Sequence, residues 1–162
     1  MTGNHALQAQ NRKSLILLSG RGYPELAEQI AAELGVELTA TSAYDFANGE
    51  IYVRYEDSVR GSDAFVIQSH TAPINTWVME TLIMIDALKR ASAKRITVVT
   101  PFYPYSRQDK KHRGREPISA RLISDLFERG GADLDAAQGP TPRRRTGWSP
   151  SRPRRPRGSR AR

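Results

Sequence analysis

The chain has 162 residues, 38% of them hydrophobic, a length sufficient for one domain with a buried core. It contains no cysteine, which excludes disulfides, thiolate zinc sites and a cysteine nucleophile. No apolar run approaches the roughly 18 residues that a membrane-spanning helix needs, and the polar first residues are not typical of a signal peptide. We therefore expect a globular protein of the cytoplasm that does not enter a membrane.

The net charge of +8 is concentrated at the end of the chain. Nine of the 25 Lys and Arg residues are arginines within residues 134–162, whereas only one of the 17 acidic residues, Asp135, lies there. The rest of the chain is therefore neutral. Dense arginine without aromatic interleaving predicts nucleic-acid binding by the tail that has no sequence preference.

The first half of the chain begins with a predicted buried strand at residues 15–18. A helix follows from Pro24, with Leu26, Ile30 and Leu34 at helical spacing before a stop at Gly35. The next apolar stretch predicts a strand over residues 36–43. Asn48-Gly49 is a strong hairpin signal, and the alternating residues 51–55 form the returning strand.

The second half continues the alternation of strands and helices. Buried strands are predicted at residues 64–69 and 95–100. Between them, residues 75–90 predict a helix with Asn75 as its N-cap and with apolar positions at Met79, Leu82, Ile83, Ile85 and Leu88. A further helix is predicted over residues 117–129.

Continuously apolar strands that alternate with helices indicate an α/β fold, with a mostly parallel sheet covered by helices on both faces and one β-hairpin. We expect a flexible arm over residues 1–13 and a folded domain over 14–133. Residues 134–162 contain Pro, Arg, Gly, Ser and Ala in abundance and no Ile, Val or Phe, which predicts a disordered tail.

Two motifs have a structural and a functional interpretation. Ser19-Gly20-Arg21-Gly22 resembles half of a dinucleotide-binding fingerprint, but Glu25 occupies the third glycine position, which favours a tight strand-to-helix turn. His70 follows a strand without a second ligand at metal spacing, so a core histidine is favoured over a metal ligand.

The segment Pro104–Pro117, with the sequence PYSRQDKKHRGREP, carries the strongest functional signal. It leaves the carboxyl end of a buried strand, where open α/β sheets bind ligands, and it contains five Lys or Arg residues between Arg107 and Arg115. Such a loop can neutralise the oxygens of a polyphosphate. The alternative is a solvated charged loop without a ligand.

Four blocks carry a resemblance to a known family: FANGE (46–50), SVRGSDAFVIQS (58–69), LIMIDALKRASAKRITVVTPFYPYSRQDKKHRGREPISARL (82–122) and GGAD (130–133). They resemble the amino-terminal domain of the ribose-phosphate pyrophosphokinases, the PRPP synthetase family. The resemblance implies a phosphoribosyltransferase-type fold and hexameric homo-oligomers. It also implies transfer of the β,γ-diphosphate of ATP to the 1-hydroxyl of ribose 5-phosphate, with Mg²⁺, to give PRPP and AMP for nucleotide biosynthesis.

The resemblance also implies roles for individual residues. Arg107 and Gln108 match positions that contact ATP, in a mobile loop that includes Asp109, Lys110 and Lys111. The hairpin that meets adenine, contributed in the family by a neighbouring subunit, is matched by Phe46, Asn48, Gly49 and Glu50. Ser58 and Arg60 match a regulatory phosphate region.

The chain departs from the family pattern after Asp133. Leu134-Asp135-Ala136 lacks the histidine of the family's metal site, and neither the acidic ribose-phosphate loop nor the catalytic Lys and Arg of a second domain follow. We therefore expect no catalytic residue and no metal ligand in this chain, and a truncated or frameshifted product that is inactive on its own. The alternatives are a non-catalytic nucleotide-binding or regulatory fragment, and a nucleic-acid binder that uses a genuine arginine arm.

Overall fold

The computed structural model describes residues 15–137 and contains two sheets and three helices in that range. The elements in chain order are β1 Leu15–Ser19, α1 Pro24–Leu34, β2 Thr41–Asp45, β3 Ile51–Tyr55, β4 Asp63–Ile67, α2 Ile74–Arg90, β5 Arg95–Thr100, α3 Ser119–Gly130 and β6 Leu134–Ala137. The predicted α/β class is confirmed.

The main sheet has the strand order β1-β4-β5-β6, and all its neighbouring strands are parallel. In register, Leu17 of β1 lies beside Phe65 of β4, and Phe65 lies beside Thr97 of β5. Because parallel strands point the same way, the loops that follow β1, β4 and β5 all leave from one edge of the sheet. We call it the carboxyl edge.

Strands β2 and β3 form the predicted antiparallel hairpin. Its turn is closed by the Gly49 N–H, which donates to the Phe46 carbonyl at 2.8 Å, and Gly49 has a φ of 86°, a conformation that favours glycine. Val53 and Tyr55 pack against the core, and the Tyr55 hydroxyl donates to the Met84 carbonyl of α2 at 2.8 Å. The hairpin is thus attached to α2 rather than to an edge of the main sheet.

Helices cover both faces of the main sheet, as predicted. On one face, Ala27 and Ala31 of α1 pack against Leu17 and Ile67, and these small side chains let the helix approach the strands closely. On the other face, α2 and α3 enclose the larger core with strands β1, β4 and β5, and its members include Leu18, Val66, Met84, Ile85, Leu88, Val98, Ile123 and Phe127.

Two local predictions were wrong. The strand predicted at 36–43 begins only at Thr41, because Thr39 donates to the Leu17 carbonyl and only Leu38 bridges to β1 before the chain leaves it. Asn75 lies inside α2, where its side-chain oxygen accepts from the Tyr105 hydroxyl, and Pro73 occupies the N-cap position.

The apolar faces predicted for two helices were also partly wrong. Leu34 and Met79 are exposed, with 57% and 52% of their surface accessible. Glu80, one residue beyond Met79, is fully buried. In α2 the buried face therefore includes a charged residue, which hydrophobic spacing could not indicate.

The sheet continues beyond the expected end of the domain at Asp133. Residues Leu134–Ala137 form β6, which pairs with β5 from Thr97 to Thr100. Four residues assigned to the tail thus belong to the fold. The predicted arm at 1–13 and the rest of the predicted tail, 138–162, lie outside the described residues.

Phe127→Ala should lower the free energy of unfolding by about 3–5 kcal/mol, because Phe127 is 1% exposed in the larger core and its removal leaves a cavity. Urea denaturation measures this. Leu126→Ala on the same helix is the matched control: Leu126 is 37% exposed, so its substitution should cost far less. Equal losses for both variants would contradict the packing of α3.

Candidate functional site

The basic loop, residues 104–118, forms most of the connection that leaves β5 at the carboxyl edge and leads to α3. Arg107, Lys110, Lys111, Arg113 and Arg115 are all exposed. Within residues 15–137, no ion pair includes a Lys or Arg of this loop. The structure therefore presents a concentration of positive charge beside strand ends, as the sequence predicted.

Glu116 organises the loop from within. Its carboxylate accepts hydrogen bonds from the backbone N–H groups of His112 at 2.8 Å and Arg113 at 2.9 Å. The bond from Arg113, followed by that from His112, lowers the pKa of the Glu116 carboxyl below its usual value. The Glu116 carboxylate thus binds backbone N–H groups of the loop and not its cationic side chains, which remain exposed to solvent.

Gln108 is fixed at the start of α3. The Ser119 hydroxyl donates to its side-chain oxygen at 2.5 Å, and the Ala120 N–H donates to its backbone carbonyl at 3.2 Å. The side-chain nitrogen of Gln108 takes no part in these contacts. A ligand at this end of the loop would therefore meet an oriented amide donor close to the positive end of a helix dipole.

The turn after β1 packs against the end of β4. A Cβ atom on Gly22 would lie 2.4 Å from the Ser69 carbonyl oxygen, and one on Gly20 would lie 2.4 Å from the Gln68 side chain. The Gly22 N–H donates to Gln68 Oε1 at 2.9 Å. The glycines thus serve close packing inside the protein, which supports the tight turn over the dinucleotide fingerprint.

A buried carboxylate stabilises the same region. Glu80 is 0% exposed and accepts from the backbone N–H of Arg21 at 2.7 Å and from the Gln68 amide at 3.0 Å. The Arg21 Nε donates to its second oxygen at 2.6 Å. Three donors on two oxygens satisfy a charge that would otherwise be costly to bury.

His70, at the end of β4, is completely buried and lies against the ring of Phe127. Its Nε2 is 3.1 Å from the Thr81 hydroxyl, and burial lowers its pKa to about 4. A neutral imidazole packed in the core fits the structural interpretation. Within residues 15–137 no group of three or more His, Cys, Asp or Glu side chains could hold a metal ion.

The four predicted hairpin residues lie together at the turn between β2 and β3. Asn48 Oδ1 accepts from the Glu50 N–H at 3.1 Å, which orders the turn. Phe46 is 46% exposed and forms an aromatic cluster with Tyr44 and Tyr52, at centroid distances of 5.4 and 6.2 Å. An exposed aromatic surface of this kind can contact a planar ring such as a base.

The predicted residues fall into three separate places. Among the described residues, no hydrogen bond or ion pair joins the hairpin turn to the basic loop. Ser58 and Arg60 lie elsewhere, exposed on either side of Val59, which is buried and accepts from the Ser62 hydroxyl. The structure thus leaves the roles assigned to these residues as predictions.

Sequence reasoning missed Arg21, Gln68 and Glu80, which together organise the carboxyl edge. The one available signal was an arginine between two glycines directly after the first strand. The sequence does not single out Gln68 or Glu80, because a polar residue at a strand end or within an amphipathic helix is ordinarily expected to face solvent. Their importance comes from contacts 46 to 59 residues apart along the chain.

The chain is similar in sequence to one family of known enzymes. Residues 15–131 match the family described as the N-terminal domain of ribose phosphate pyrophosphokinase. The chain is 71% identical over 124 residues to a ribose-phosphate pyrophosphokinase of Corynebacterium efficiens, covering 76% of this chain and 38% of that protein. A Streptomyces coelicolor relative of the same name is 66% identical over 133 residues, covering 82% and 40%.

A solved structure is also similar. The crystal structure of phosphoribosylpyrophosphate synthetase from Mycobacterium smegmatis matches with a TM-score of 0.76 and 67% identity, over 77% of this chain and 42% of that one. The chain thus spans about two fifths of the length of the relatives it matches.

Gly22→Ala should destabilise the fold by about 1–3 kcal/mol, because the added methyl group meets a backbone carbonyl that cannot move aside cheaply. Gly114→Ala in the basic loop is the control, since nothing lies within 4 Å of a Cβ there. Chemical denaturation compares the two. A Gly22→Ala protein as stable as the Gly114→Ala protein would contradict the close packing.

His70 should make stability depend on pH. Its folded pKa of about 4 lies below the 6.5 of an unperturbed histidine, so the unfolded chain binds a proton first as pH falls. This contribution is present above pH 6.5 and is lost between about pH 6.5 and 4. It amounts to about 2 kcal/mol between pH 7 and 5.

Urea denaturation at pH 7 and pH 5 measures this loss. His70→Gln should reduce the pH dependence by about that amount, whereas His112→Gln, in the exposed loop, should keep it. An unchanged slope in His70→Gln would show that His70 titrates normally in the folded protein.

Proposed function

Since the chain belongs to the ribose-phosphate pyrophosphokinase family through its N-terminal domain, we propose that it is the ATP-binding half of a ribose-phosphate diphosphokinase. The whole enzyme would transfer the β,γ-diphosphate of ATP to ribose 5-phosphate. The observation that carries this proposal is the basic loop at the carboxyl edge, where exposed cations that have no ion-pair partner within residues 15–137 follow a buried strand.

The loop would bind the phosphates of ATP. Arg107, Lys110 and Lys111 are free to turn towards a ligand because Glu116 and Ser119 hold the backbone and Gln108 around them. The Gln108 amide nitrogen would donate a further hydrogen bond. Asp109 is the one acid between Arg107 and Arg115, and it would limit the repulsion among the cations when the loop is empty.

The hairpin would contact adenine. Phe46 offers a ring face for stacking, and Asn48 and Glu50 offer polar groups beside it, with Gly49 shaping the turn. The family resemblance assigns this contact to a neighbouring subunit, so we also propose a homo-oligomer, hexameric as in the family. Ser58 and Arg60 would form part of a regulatory phosphate site.

Mg²⁺ belongs to the reaction that the resemblance implies. The described residues offer no metal-binding group of three or more side chains, so we assign none of them a role as a metal ligand. The 162-residue chain alone should release no AMP from ATP and ribose 5-phosphate, since it matches only the N-terminal domain of its relatives. AMP release above a protein-free blank would contradict this.

The cytoplasm is the proposed location, because the relatives carry the names of metabolic enzymes. Within residues 15–137 there is no helix whose length and apolar character would allow it to cross a membrane.

Arg107→Ala should weaken ATP binding by about 1.5–3 kcal/mol, the range for a hydrogen bond to a charged group. Isothermal titration calorimetry measures the dissociation constant. Arg129→Ala is the matched control, because Arg129 is also an exposed arginine but lies in the last turn of α3, at the other end of the helix from the loop. If both variants bound ATP like the parent, the loop would be a solvated surface feature.

A second candidate function rests on the nine arginines after Asp133. Nucleic acid should bind to them through its phosphates, without sequence preference and with an affinity that falls steeply as salt rises. Because β6 extends to Ala137, the informative deletion removes residues 138–162 and keeps the sheet intact. Fluorescence anisotropy with two unrelated RNA sequences should show that this deletion abolishes binding; retained affinity would place the nucleic-acid site in the folded domain.

A further inference from the structure

Arg21 makes contacts to two separate elements through one side chain. Its Nε donates to Glu80 of α2 at 2.6 Å, and its Nη2 donates to Asp45 at the end of β2 at 2.7 Å. Its guanidinium carbon also lies 5.8 Å from the ring centroid of Trp77, a cation–π distance. The guanidinium thus bridges the body of the domain and the hairpin.

The contact to the body is firm. Glu80 is fully buried, and it accepts hydrogen bonds from both the backbone N–H and the side-chain Nε of Arg21. The loop that carries Arg21 has little room to shift, because Gly20 and Gly22 on either side are packed against Gln68 and Ser69. The arginine is therefore oriented before it meets the hairpin.

The contact to the hairpin lies at its turn end. Asp45 pairs with Ile51 in the last rung before the turn and directly precedes Phe46. The other end is held by Tyr55, which bonds to the Met84 carbonyl. Ile51 lies four positions before Tyr55, roughly 13 Å along the strand, and Val53 between them packs against the core. Without Arg21 the hairpin would therefore be held by β3 from Val53 to Tyr55 and would have no anchor at its turn end.

We propose that Arg21 is a positioning residue, which holds the turn end of the hairpin so that Phe46, Asn48 and Glu50 are preset for adenine. This proposal rests on the adenine-binding role proposed above for the hairpin. Preset contacts cost less ordering entropy when the ligand arrives. The buried Glu80 is in this scheme the fixed point from which the position of the hairpin is determined.

A surface ion pair between exposed groups would not have this effect, because such pairs contribute little. In the Arg21–Asp45 pair the aspartate is 49% exposed, but the arginine is 30% exposed and is already held by Glu80 and by the ring of Trp77. Little side-chain entropy is then lost when the arginine binds Asp45. The Arg54–Glu56 pair at the other end of the same hairpin is a suitable contrast. Its atoms are 3.7 Å apart, and its arginine is 64% exposed, about twice as much as Arg21.

The test measures the position of the hairpin without any nucleotide. The chain has no cysteine, so spin labels at Ala47→Cys in the turn and Glu128→Cys on α3 are the only ones present. Double electron–electron resonance then gives the distribution of distances between turn and body, with the labelled chain diluted into unlabelled chain so that pairs of labels on different subunits do not contribute. Asp45→Ala removes the hydrogen bond between Arg21 and the hairpin and leaves the Arg21–Glu80 pair intact. Glu56→Ala, which removes the Arg54–Glu56 pair, is the matched control. Asp45→Glu keeps the carboxylate and is the conservative variant.

We expect the distance distribution to broaden about twofold or more in Asp45→Ala, because a segment anchored at one end samples more positions. It should stay narrow in Glu56→Ala and be largely restored in Asp45→Glu. The unfolding midpoint should be similar in all three, which separates positioning from a merely structural role.

An unchanged distribution in Asp45→Ala would overturn the proposal, as would equal broadening in Glu56→Ala. Failure of the ATP-binding proposal is recognised separately, by titration of the parent chain with ATP. The distance measurement does not depend on that result.

Discussion

The Glu80 carboxylate lies fully buried beside the carboxyl edge of the sheet, and the surrounding chain must satisfy its charge with hydrogen bonds. The partners come from two strand ends, Arg21 after β1 and Gln68 after β4. A single buried charge therefore fixes how two loops and helix α2 meet. The two glycines of the turn after β1 are required by the same arrangement, since any side chain there would push Gln68 or Ser69 away.

The domain presents two surfaces of different character. The basic loop after β5 is rich in cations directed to solvent, with its backbone held by Glu116 and by the start of α3. The hairpin turn is aromatic and polar, and is connected to Glu80 through Arg21. The proposed function uses both surfaces, the loop for phosphates and the hairpin for the base. The second subunit is proposed because the family resemblance assigns the base contact to a neighbouring copy of the chain.

Much of the fold could be predicted from the sequence because local signals agree with it. The apolar runs at β1, β4 and β5, the Asn48-Gly49 turn and the Pro24 start of α1 each depend on neighbouring residues only. Errors arose where tertiary contacts decide the outcome. Leu34 and Met79 fit helical spacing but are exposed, and Asn75 fits an N-cap but pairs with Tyr105. Strand β6 was missed because pairing with β5 orders a segment whose composition is not typical of a strand.

The part of the candidate site that depends on neighbouring residues could likewise be predicted. The basic loop is contiguous in sequence, so its charge was visible directly. The Arg21–Glu80–Gln68 network joins residues far apart in sequence, and no periodicity indicates it. Its recognition required the structure.

The most direct test of this account is to titrate ATP into the ¹⁵N-labelled chain and follow the backbone amide resonances. We expect the largest shifts at Arg107 to Lys111 and at the start of α3, where the phosphates would lie, and little change along α1. Shifts confined to other surfaces, or none at millimolar ATP, would contradict the assignment of the basic loop as a phosphate site.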